Sequence, residues 1–133
     1  MNYKIILSIV LMLIVVAAWV FNANHKQNFK SVSVVDFADI IKDTANVQLL
    51  DVRTSDEFNE GHIDGALQID FYSALFMDLA TMKLSKDKPV AIYCRSGRRS
   101  ASAANKLAEQ GYDVINLDGG IMAWKQSKKP IVR

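Results

Sequence analysis

A short apolar segment, Val90–Tyr93, runs directly into Cys94, the only cysteine of the 133-residue chain. Its branched and aromatic residues follow Pro89, and proline suits a first strand position, so the segment is predicted to be a β-strand. An apolar stripe at helical spacing predicts a helix over residues 100–110, which Gly111 would end. Cys94 is therefore predicted to lie in a turn between a strand and the start of a helix.

This turn favours a negatively charged sulfur. Arg95, Arg98 and Arg99 follow Cys94 closely, and the N–H groups at a helix start lack acceptors and carry the positive end of the helix dipole. Such surroundings lower a thiol pKa from about 8.5 to between about 3.5 and 7.5. The alternative is a buried structural cysteine, which would have no use for three arginines. Cys94 is predicted to be a thiolate nucleophile.

Strand-like and helix-like segments alternate from about residue 30 onward. Strands are predicted over residues 47–52, 66–69, 90–93 and 114–117, and helices near residues 33–41, 54–61, 71–82, 100–110 and 121–126. Capping patterns at Ser33 and Thr54 mark two of the helix starts. The alternation predicts an α/β fold with a mainly parallel sheet and helices on both faces. Ligands of such sheets bind beyond the carboxyl ends of the strands, where Cys94 is predicted to lie.

The N-terminal part of the chain has a different composition. Residues 5–21 are an apolar run interrupted only by Ser8, without the polar face of a core helix, so a hydrophobic membrane-targeting helix is expected to precede the domain. We predict a signal anchor or signal peptide at 1–24, a polar linker at 25–31 and the folded domain at 32–133. The run is near the lower limit of a bilayer span, about 17 residues, and no clear cleavage site follows it. An uncleaved anchor is favoured, and cleavage stays open.

The orientation of this segment is weakly determined by charge. Lys4 precedes the run, and Lys26 and Lys30 follow it, so the counts at its two ends are close. A very short basic tail usually stays in the cytoplasm. We expect export, with the domain anchored in the inner membrane and facing the periplasm, or released into the periplasm if the segment is cleaved.

Composition excludes several classes of protein. A net charge of +2 gives no indication of nucleic-acid binding. One cysteine excludes an internal disulfide framework, and two distant histidines with one cysteine predict no metal site. The oligomeric state is left open.

Three separated segments carry a family resemblance. They are LLDVR with EF and GHIDGA within residues 49–66, CRSGRRS at 94–100, and GY with LDGGIMAW within 111–124. Their order and spacing over residues 32–130 resemble the single-domain rhodaneses, a family of thiosulfate sulfurtransferases. Residues 1–31 lie outside the resemblance.

The resemblance implies a reaction as well as a rhodanese-like fold. Cys94 would attack the outer sulfur of thiosulfate, sulfite would leave, and a persulfide on Cys94 would pass its sulfur to cyanide or a thiol, without a cofactor. The residues implied to form the active-site loop and bind the substrate are Arg95, Ser96, Gly97, Arg98 and Arg99. Arginines suit this role because thiosulfate and sulfite are dianions.

Two alternatives stay open beside this enzyme. One is a persulfide carrier, or sulfur-relay module, fed by a protein partner. The other is a phosphatase-like or anion-binding regulatory domain, since Arg98 and Arg99 could hold a phosphate. Phosphatases of this fold have one more residue in the loop, so the six residues from Cys94 to Arg99 favour sulfur.

A further group of residues is predicted to support the site. Asp51 and Arg53 are expected to form a structural ion pair, and His62 is expected to hydrogen-bond rather than act as a base. Trp124 is expected to pack under the loop, and the Gly119–Gly120 pair is expected to form a tight turn. The whole supporting set is Asp51, Arg53, Glu57, His62, Gly119, Gly120 and Trp124.

Overall fold

Five short strands form one all-parallel sheet in the computed structural model, which describes residues 2–23 and 28–133. The strand order is β1-β5-β4-β2-β3. The strands are β1 (Lys30–Val32), β2 (Gln48–Asp51), β3 (Leu67–Gln68), β4 (Val90–Tyr93) and β5 (Val114–Leu117). The helices are α1 (Tyr3–Ala23), α2 (Val34–Ile41), α3 (Ser55–Glu60), α4 (Phe76–Lys83), α5 (Arg98–Glu109) and α6 (Gly120–Gln126). The predicted α/β class and parallel sheet are confirmed.

Helices cover both faces of the sheet, and β4 lies at its centre. All four residues of β4 are buried, and successive side chains of a strand point to opposite faces. Ile92 packs in a cluster with α4 and α5, whereas Tyr93 packs in a second cluster with α2 and α6. Burial on both sides explains why β4 reads as a continuous apolar run.

The edge strand β1 was not predicted, because the sequence shows no strand pattern there. It pairs with β5, with Lys30 opposite Ile115 and Val32 opposite Leu117. Three residues, two of them polar, are too few to show an alternating pattern. Lys30 and Ser31, inside the segment predicted as linker, are thus part of the sheet, and residues 25–27 of that segment lie outside the described residues.

Two helices begin at residues other than those predicted from the apolar pattern. The helix predicted from residue 71 begins at Phe76, because the N–H groups of Tyr72 and Leu75 bond to Asp70 Oδ1 and Ser73 Oγ, local bonds that compete with helix formation. By contrast, α5 begins before the predicted Ser100, at Arg98. Gly97 precedes it with a φ of 101° and turns the chain into the helix.

The N-terminal helix α1 is 21 residues long, or about 31 Å at 1.5 Å per residue. Its segment Tyr3–Phe21 has a mean hydropathy of 2.7 and is not buried against the rest of the protein. The hydroxyl of Ser8 donates to the carbonyl of Ile5 at 2.9 Å, so the one polar side chain of the run is satisfied within the helix. By length and composition, α1 is able to cross a membrane.

Candidate active site

Cys94 directly follows the central strand and is 1% exposed. Since all the strands are parallel, the carboxyl ends of β2, β4 and β5 lie at one edge of the sheet. This edge brings together Cys94, Asp51 at the end of β2 and the Gly119–Gly120 turn after β5. The structure therefore collects at one edge residues from three separated parts of the sequence.

Two hydrogen-bond donors converge on the sulfur. The N–H of Gly97 lies 3.1 Å from Cys94 Sγ, and the hydroxyl of Ser100 lies 3.3 Å from it. Gly97 precedes the first residue of α5, and Ser100 lies in its first turn, where N–H groups have no helical acceptor. The start of α5 thus solvates a sulfur that is shielded from water.

Opposing effects set the pKa of Cys94. Burial raises the pKa of the thiol, but hydrogen bonds from the Ser100 hydroxyl and from the N–H groups of Ser100, Gly97 and Ser96 outweigh it, and the pKa lies below its ordinary value. These donors interact with the thiolate more strongly than with the neutral thiol. The result is a sulfur that ionises more readily despite its burial.

The arginines differ from expectation in how they act. Arg99 is held by Glu57, with its two terminal nitrogens 2.8 and 2.7 Å from the two carboxylate oxygens. This pair raises the pKa of Arg99, with the charge of Cys94 as a smaller contributor. Arg95 and Arg98 are exposed. The hydrogen bonds on the sulfur come from the N–H of Gly97 and the hydroxyl of Ser100, so the start of the helix acts on the thiol as predicted, and the arginines act on it less directly than predicted.

Helix α6 holds the other side of the loop. The N–H of Ile121 donates to the carbonyl of Cys94 at 2.9 Å, and the N–H of Met122 donates to that of Arg95 at 3.1 Å. These N–H groups at a helix start would otherwise lack partners. With two of its carbonyls bound to α6, the loop turns N–H groups toward the sulfur.

Gly120 allows this close approach. Its φ is 61°, and a Cβ added there would lie 2.6 Å from the Cys94 carbonyl oxygen and would also overlap the Arg95 carbonyl. Gly119, with a φ of 76°, precedes it. A tight turn is predicted for this pair of glycines, and the structure adds that the loop packs directly on the Gly120 backbone.

A buried ion pair closes the end of β2. Arg53 Nη2 lies 2.7 Å from Asp51 Oδ2, and Asp51 is fully buried. Although burial lowers the pKa of Arg53, the hydrogen bond and charge of Asp51 raise it above its ordinary value. The guanidinium also donates to the carbonyls of Glu57 and Gly61 at 3.2 and 2.7 Å. It thereby connects β2 to the middle of α3 and to the residue that follows this helix.

Glu57 links this helix to the active-site loop. Its carboxylate accepts hydrogen bonds from the backbone N–H and hydroxyl of Thr54, both at 3.0 Å, in the predicted capping box. The hydrogen bonds from Arg99 are the main cause that lowers the pKa of Glu57 from 4.5 to about 2. One carboxylate therefore both caps α3 and neutralises Arg99.

We expect Glu57→Gln to reduce the free energy of unfolding at pH 7 by about 1–2 kcal/mol. Because the pKa of Glu57 is lowered, its ionised carboxylate contributes fully to the free energy of unfolding above pH 4.5. This contribution is lost as the pH falls toward 2. The difference between wild type and variant should therefore shrink between pH 7 and pH 3 in urea unfolding. Asp56→Asn, at an exposed carboxylate of the same helix, is the control. A pH-independent difference would contradict this role.

His62 and Trp124 make structural contacts. His62 Nδ1 lies 2.9 Å from the carbonyl of Phe58, and the side-chain rings of His62 and Phe58 stack with their centroids 3.6 Å apart. A carbonyl only accepts hydrogen bonds, so Nδ1 carries the proton. Trp124 donates from Nε1 to the carbonyl of Pro130 at 2.8 Å and packs edge-on against Phe37. Both side chains thus have partners other than the loop.

A cavity of about 430 Å³ lies beside the loop. It is lined by Arg53, Glu57, Glu60, Arg95, Ile121, Met122 and Lys125. Among residues 2–23 and 28–133, no three His, Cys, Asp or Glu side chains are grouped as a metal ion would require.

Sequence reasoning missed Ser100 as a contact of the sulfur. The sequence marks it only as the first residue of a helix, although its place in the first turn of α5 puts its hydroxyl within reach of Cys94. Also missed was Tyr72, whose ring lies 5.6 Å from the Arg99 guanidinium carbon. No sequence pattern indicates that second contact.

We expect Ser100→Ala to raise the pKa of Cys94 by about one unit, since a hydrogen bond to a charged group is worth about 1.5–3 kcal/mol and one unit corresponds to about 1.4 kcal/mol. The rate of alkylation by iodoacetamide as a function of pH measures this. Ser102→Ala, at an exposed position of the same helix, is the control. An unchanged profile would show that the hydroxyl does not stabilise the thiolate.

The fold and the cysteine loop define a rhodanese-like domain, and sequence comparison agrees. Residues 33–127 match the Rhodanese-like domain family, and the chain belongs to this family.

The similar proteins with curated names include sulfurtransferases. The chain is 43% identical over 93 residues to a sulfurtransferase of Allochromatium vinosum, covering 69% of this chain and 84% of that protein. It is 38% identical over 102 residues to the thiosulfate sulfurtransferase GlpE of Shewanella oneidensis, covering 75% and 96%.

Solved structures agree on the fold. A rhodanese-related protein from Thermoplasma volcanium superposes with a TM-score of 0.70 at 29% identity, covering 78% of this chain and 98% of that one. A rhodanese-like domain protein from Staphylococcus aureus gives a TM-score of 0.64 at 30% identity, covering 72% and 91%.

Proposed function

We propose that this protein is a sulfurtransferase that takes the sulfane sulfur of thiosulfate onto Cys94 and passes it to cyanide or a thiol. The observation that carries the proposal is the pair of donors on the sulfur, Gly97 N–H at 3.1 Å and Ser100 hydroxyl at 3.3 Å. They stabilise the thiolate that attacks. The same donors would lie beside a persulfide on Cys94, which also carries negative charge.

The first half of the reaction needs one thiolate and one donor. Cys94 Sγ attacks the outer sulfur of thiosulfate, a new S–S bond forms, and the bond between the two thiosulfate sulfurs breaks. Its electron pair leaves with sulfite, and the total charge of three negatives is conserved. This displacement is the chemistry of thiol–disulfide exchange, and it needs no metal or cofactor because Cys94 itself carries the sulfur.

The three arginines that follow Cys94 have different roles in this proposal. Arg99 is neutralised by Glu57, so its charge contributes less to anion binding than its place in the loop suggests. Arg95 and Arg98 are exposed, and their side chains have no ion-pair partner in the described part of the chain. They are assigned to the sulfonate group of thiosulfate, where a free guanidinium offsets the charge that develops on departing sulfite.

The test is thiocyanate formation from thiosulfate and cyanide by the full chain in detergent. Steady turnover supports the proposal, and a further check is the gain of one sulfur atom in the intact mass after thiosulfate alone. Absence of both, with sulfur accepted from a persulfidated protein, would favour the relay function. Hydrolysis of an aryl phosphate without sulfur transfer would favour a phosphatase.

For location we propose that α1 stays attached as an anchor and that the domain faces the periplasm. The length and hydropathy of α1 support the anchor, and the basic Lys4 before the apolar run supports the orientation. The mass of the mature protein in the membrane and soluble fractions tests retention of α1. A mature chain that lacks the apolar run would instead indicate a cleaved signal peptide.

A further inference from the structure

Residues 128–133 follow the last helix and fold back onto the protein. The indole N–H of Trp124 in α6 donates to the carbonyl of Pro130 at 2.8 Å, and Val132 pairs with His62 in an antiparallel bridge. The match to the Rhodanese-like domain family ends at residue 127. These contacts therefore belong to a segment that the family pattern does not include.

The bridge fixes the two residues that directly follow α3. The His62 N–H donates to the Val132 carbonyl at 2.9 Å, and the Val132 N–H donates to the His62 carbonyl at 2.8 Å. Beside the bridge, Ile131 packs so closely on Gly61 that a Cβ on this glycine would lie 2.9 Å from Ile131 Cδ1. Backbone hydrogen bonds and side-chain packing thus hold the chain at the end of α3.

The ring of His62 carries this constraint into α3. It stacks on the ring of Phe58 with the centroids 3.6 Å apart, and its Nδ1 donates to the Phe58 carbonyl at 2.9 Å. Phe58 is the neighbour of Glu57, whose carboxylate pairs with Arg99. A continuous set of contacts therefore runs from Val132 through His62 to the residue beside Glu57.

Helix α3 depends on such contacts because the core does not anchor it. None of its six residues, Ser55–Glu60, is buried, and a helix of this length is not stable by itself. The Thr54 capping box fixes its start, and Arg53 donates to the carbonyls of Glu57 and Gly61. The remaining contacts at the end of the helix come from residues 131 and 132.

From these contacts we propose that residues 130–132 form a strap that positions α3 so that Glu57 neutralises Arg99 beside the Cys94 loop. While the strap is in place, the negative charge of Glu57 offsets the positive charge of Arg99. When the strap is released, the end of α3 loosens and Glu57 holds Arg99 less closely. The positive charge of Arg99 then acts more strongly on the sulfur.

Val132 and His62 are positioning residues in this arrangement, since they act through Glu57. The direction of the effect separates this role from a general loss of structure. A loop that only becomes looser loses hydrogen bonds to the sulfur, which raises the pKa of Cys94. A less neutralised Arg99 instead stabilises the thiolate, which lowers this pKa, and it also favours binding of the thiosulfate dianion.

The test is Val132→Pro in the full chain in detergent. Proline has no N–H, so the hydrogen bond to the His62 carbonyl is lost. Val132→Ala is the matched control, because it keeps this N–H and shortens only an exposed side chain. The measurements are the rate of Cys94 alkylation by iodoacetamide against pH, the KM for thiosulfate with cyanide as acceptor, and the free energy of unfolding in urea.

Val132→Pro is expected to lower the pKa of Cys94 by about half a unit and the KM for thiosulfate by about two- to threefold, the scale of one partly exposed charge. Val132→Ala should change neither quantity. Glu57→Gln should shift both in the same direction and by more, because it removes the negative charge itself. In the Glu57→Gln background, Val132→Pro should cause no further shift, since the strap acts through Glu57.

Gln48→Ala controls for a loss of stability at a distant place. Gln48 lies at the start of β2, at the edge of the sheet opposite Cys94. Its side-chain amide donates to the Ser85 carbonyl at 2.8 Å and accepts from the Ser85 N–H at 2.7 Å. Its removal should lower the free energy of unfolding and leave the pKa of Cys94 unchanged.

A second strap variant keeps the test decisive if Val132→Pro does not fold. Ile131→Gly removes the side chain that packs on Gly61 and adds backbone freedom to the strap, but it keeps every backbone N–H. It should lower the pKa of Cys94 by a smaller amount than Val132→Pro.

Three results would overturn the inference. One is a Cys94 pKa that rises or stays the same in whichever of Val132→Pro and Ile131→Gly folds. Another is an equal fall in Val132→Ala or Gln48→Ala, which would show that the strap hydrogen bond is not the cause. The third is an equal effect of Val132→Pro with and without Glu57→Gln, which would show that the strap does not act through Glu57.

Only the KM for thiosulfate rests on the proposed function. Alkylation of Cys94 needs no sulfur donor, so the expected fall in its pKa without any turnover would support the strap and contradict the proposed sulfurtransferase. Turnover by wild type with an unchanged pKa in the strap variants would support the sulfurtransferase and contradict the strap.

Discussion

Cys94→Ser is expected to lower sulfur transfer from thiosulfate by at least about 10³-fold with every acceptor. The Gly97 N–H and the Ser100 hydroxyl are placed to stabilise a thiolate, but a serine hydroxyl stays protonated with the same donors. An oxygen also cannot hold the transferred sulfur as a persulfide. The measurements are thiocyanate formation and the intact mass after incubation with thiosulfate, in which wild type gains one sulfur atom and the variant none.

The serine variant should remain folded, so a loss of activity reports on chemistry. Cys94 is 1% exposed, and the smaller hydroxyl keeps both hydrogen-bond partners. We expect its free energy of unfolding in urea to lie within about 1 kcal/mol of wild type. Ser102→Ala, on the exposed side of α5, should keep full activity. Substantial turnover by Cys94→Ser would refute Cys94 as the nucleophile.

Gly120→Ala is expected to cause the second-largest loss, about 10²-fold in kcat/KM, although Gly120 touches no substrate. The added Cβ would lie 2.6 Å from the Cys94 carbonyl oxygen, and that contact is with backbone that cannot rotate away. The loop must then move off α6, which breaks the bonds from the Ile121 and Met122 N–H groups. Misplacing a reacting group by about 1 Å can cost this much in rate.

The same substitution should also change the thiol and the stability. A displaced loop weakens the hydrogen bonds on the sulfur, so the pKa of Cys94 should rise, as measured by alkylation against pH. Overpacking and left-handed backbone strain together predict a loss of about 2–5 kcal/mol of unfolding free energy.

Gly65→Ala separates strain from contact. Gly65 also has a positive φ, 82°, but a Cβ there would meet nothing within 4 Å. It should cost only the backbone strain, about 1–2 kcal/mol, and leave the Cys94 pKa and kcat/KM unchanged. Equal effects of the two substitutions on kcat/KM would show that Gly120 matters only for its backbone conformation.

Local patterns made much of this fold predictable. The strand Val114–Leu117 and the Thr54 capping box occur where they were predicted, because an apolar run and a capping pair act through neighbours in sequence. The same holds for the turn that presents Cys94 between β4 and α5. By contrast, β1 was not predicted, since its pairing with β5 joins Lys30 to Ile115.

The candidate site was less predictable than the fold. The cluster of arginines after Cys94 suggested that their charges act directly on the thiol. In the structure, Arg99 is instead paired with the carboxylate of Glu57, which lies 42 positions away in sequence. The free charges of the cavity likewise depend on which side chains are paired elsewhere. Charge counted along the sequence does not tell which charges remain available.

The sequence by itself determined the α/β alternation, the apolar N-terminal helix and the place of Cys94 between a strand and a helix, because these depend on periodicity and local turn chemistry. Only the tertiary structure decided that Ser100 and Gly97 solvate the sulfur, that Glu57 holds Arg99 and that Gly120 supports the loop from below. Those arrangements depend on side-chain direction and on contacts between separate segments, whose energies come from packing in three dimensions and leave no repeating pattern along the chain.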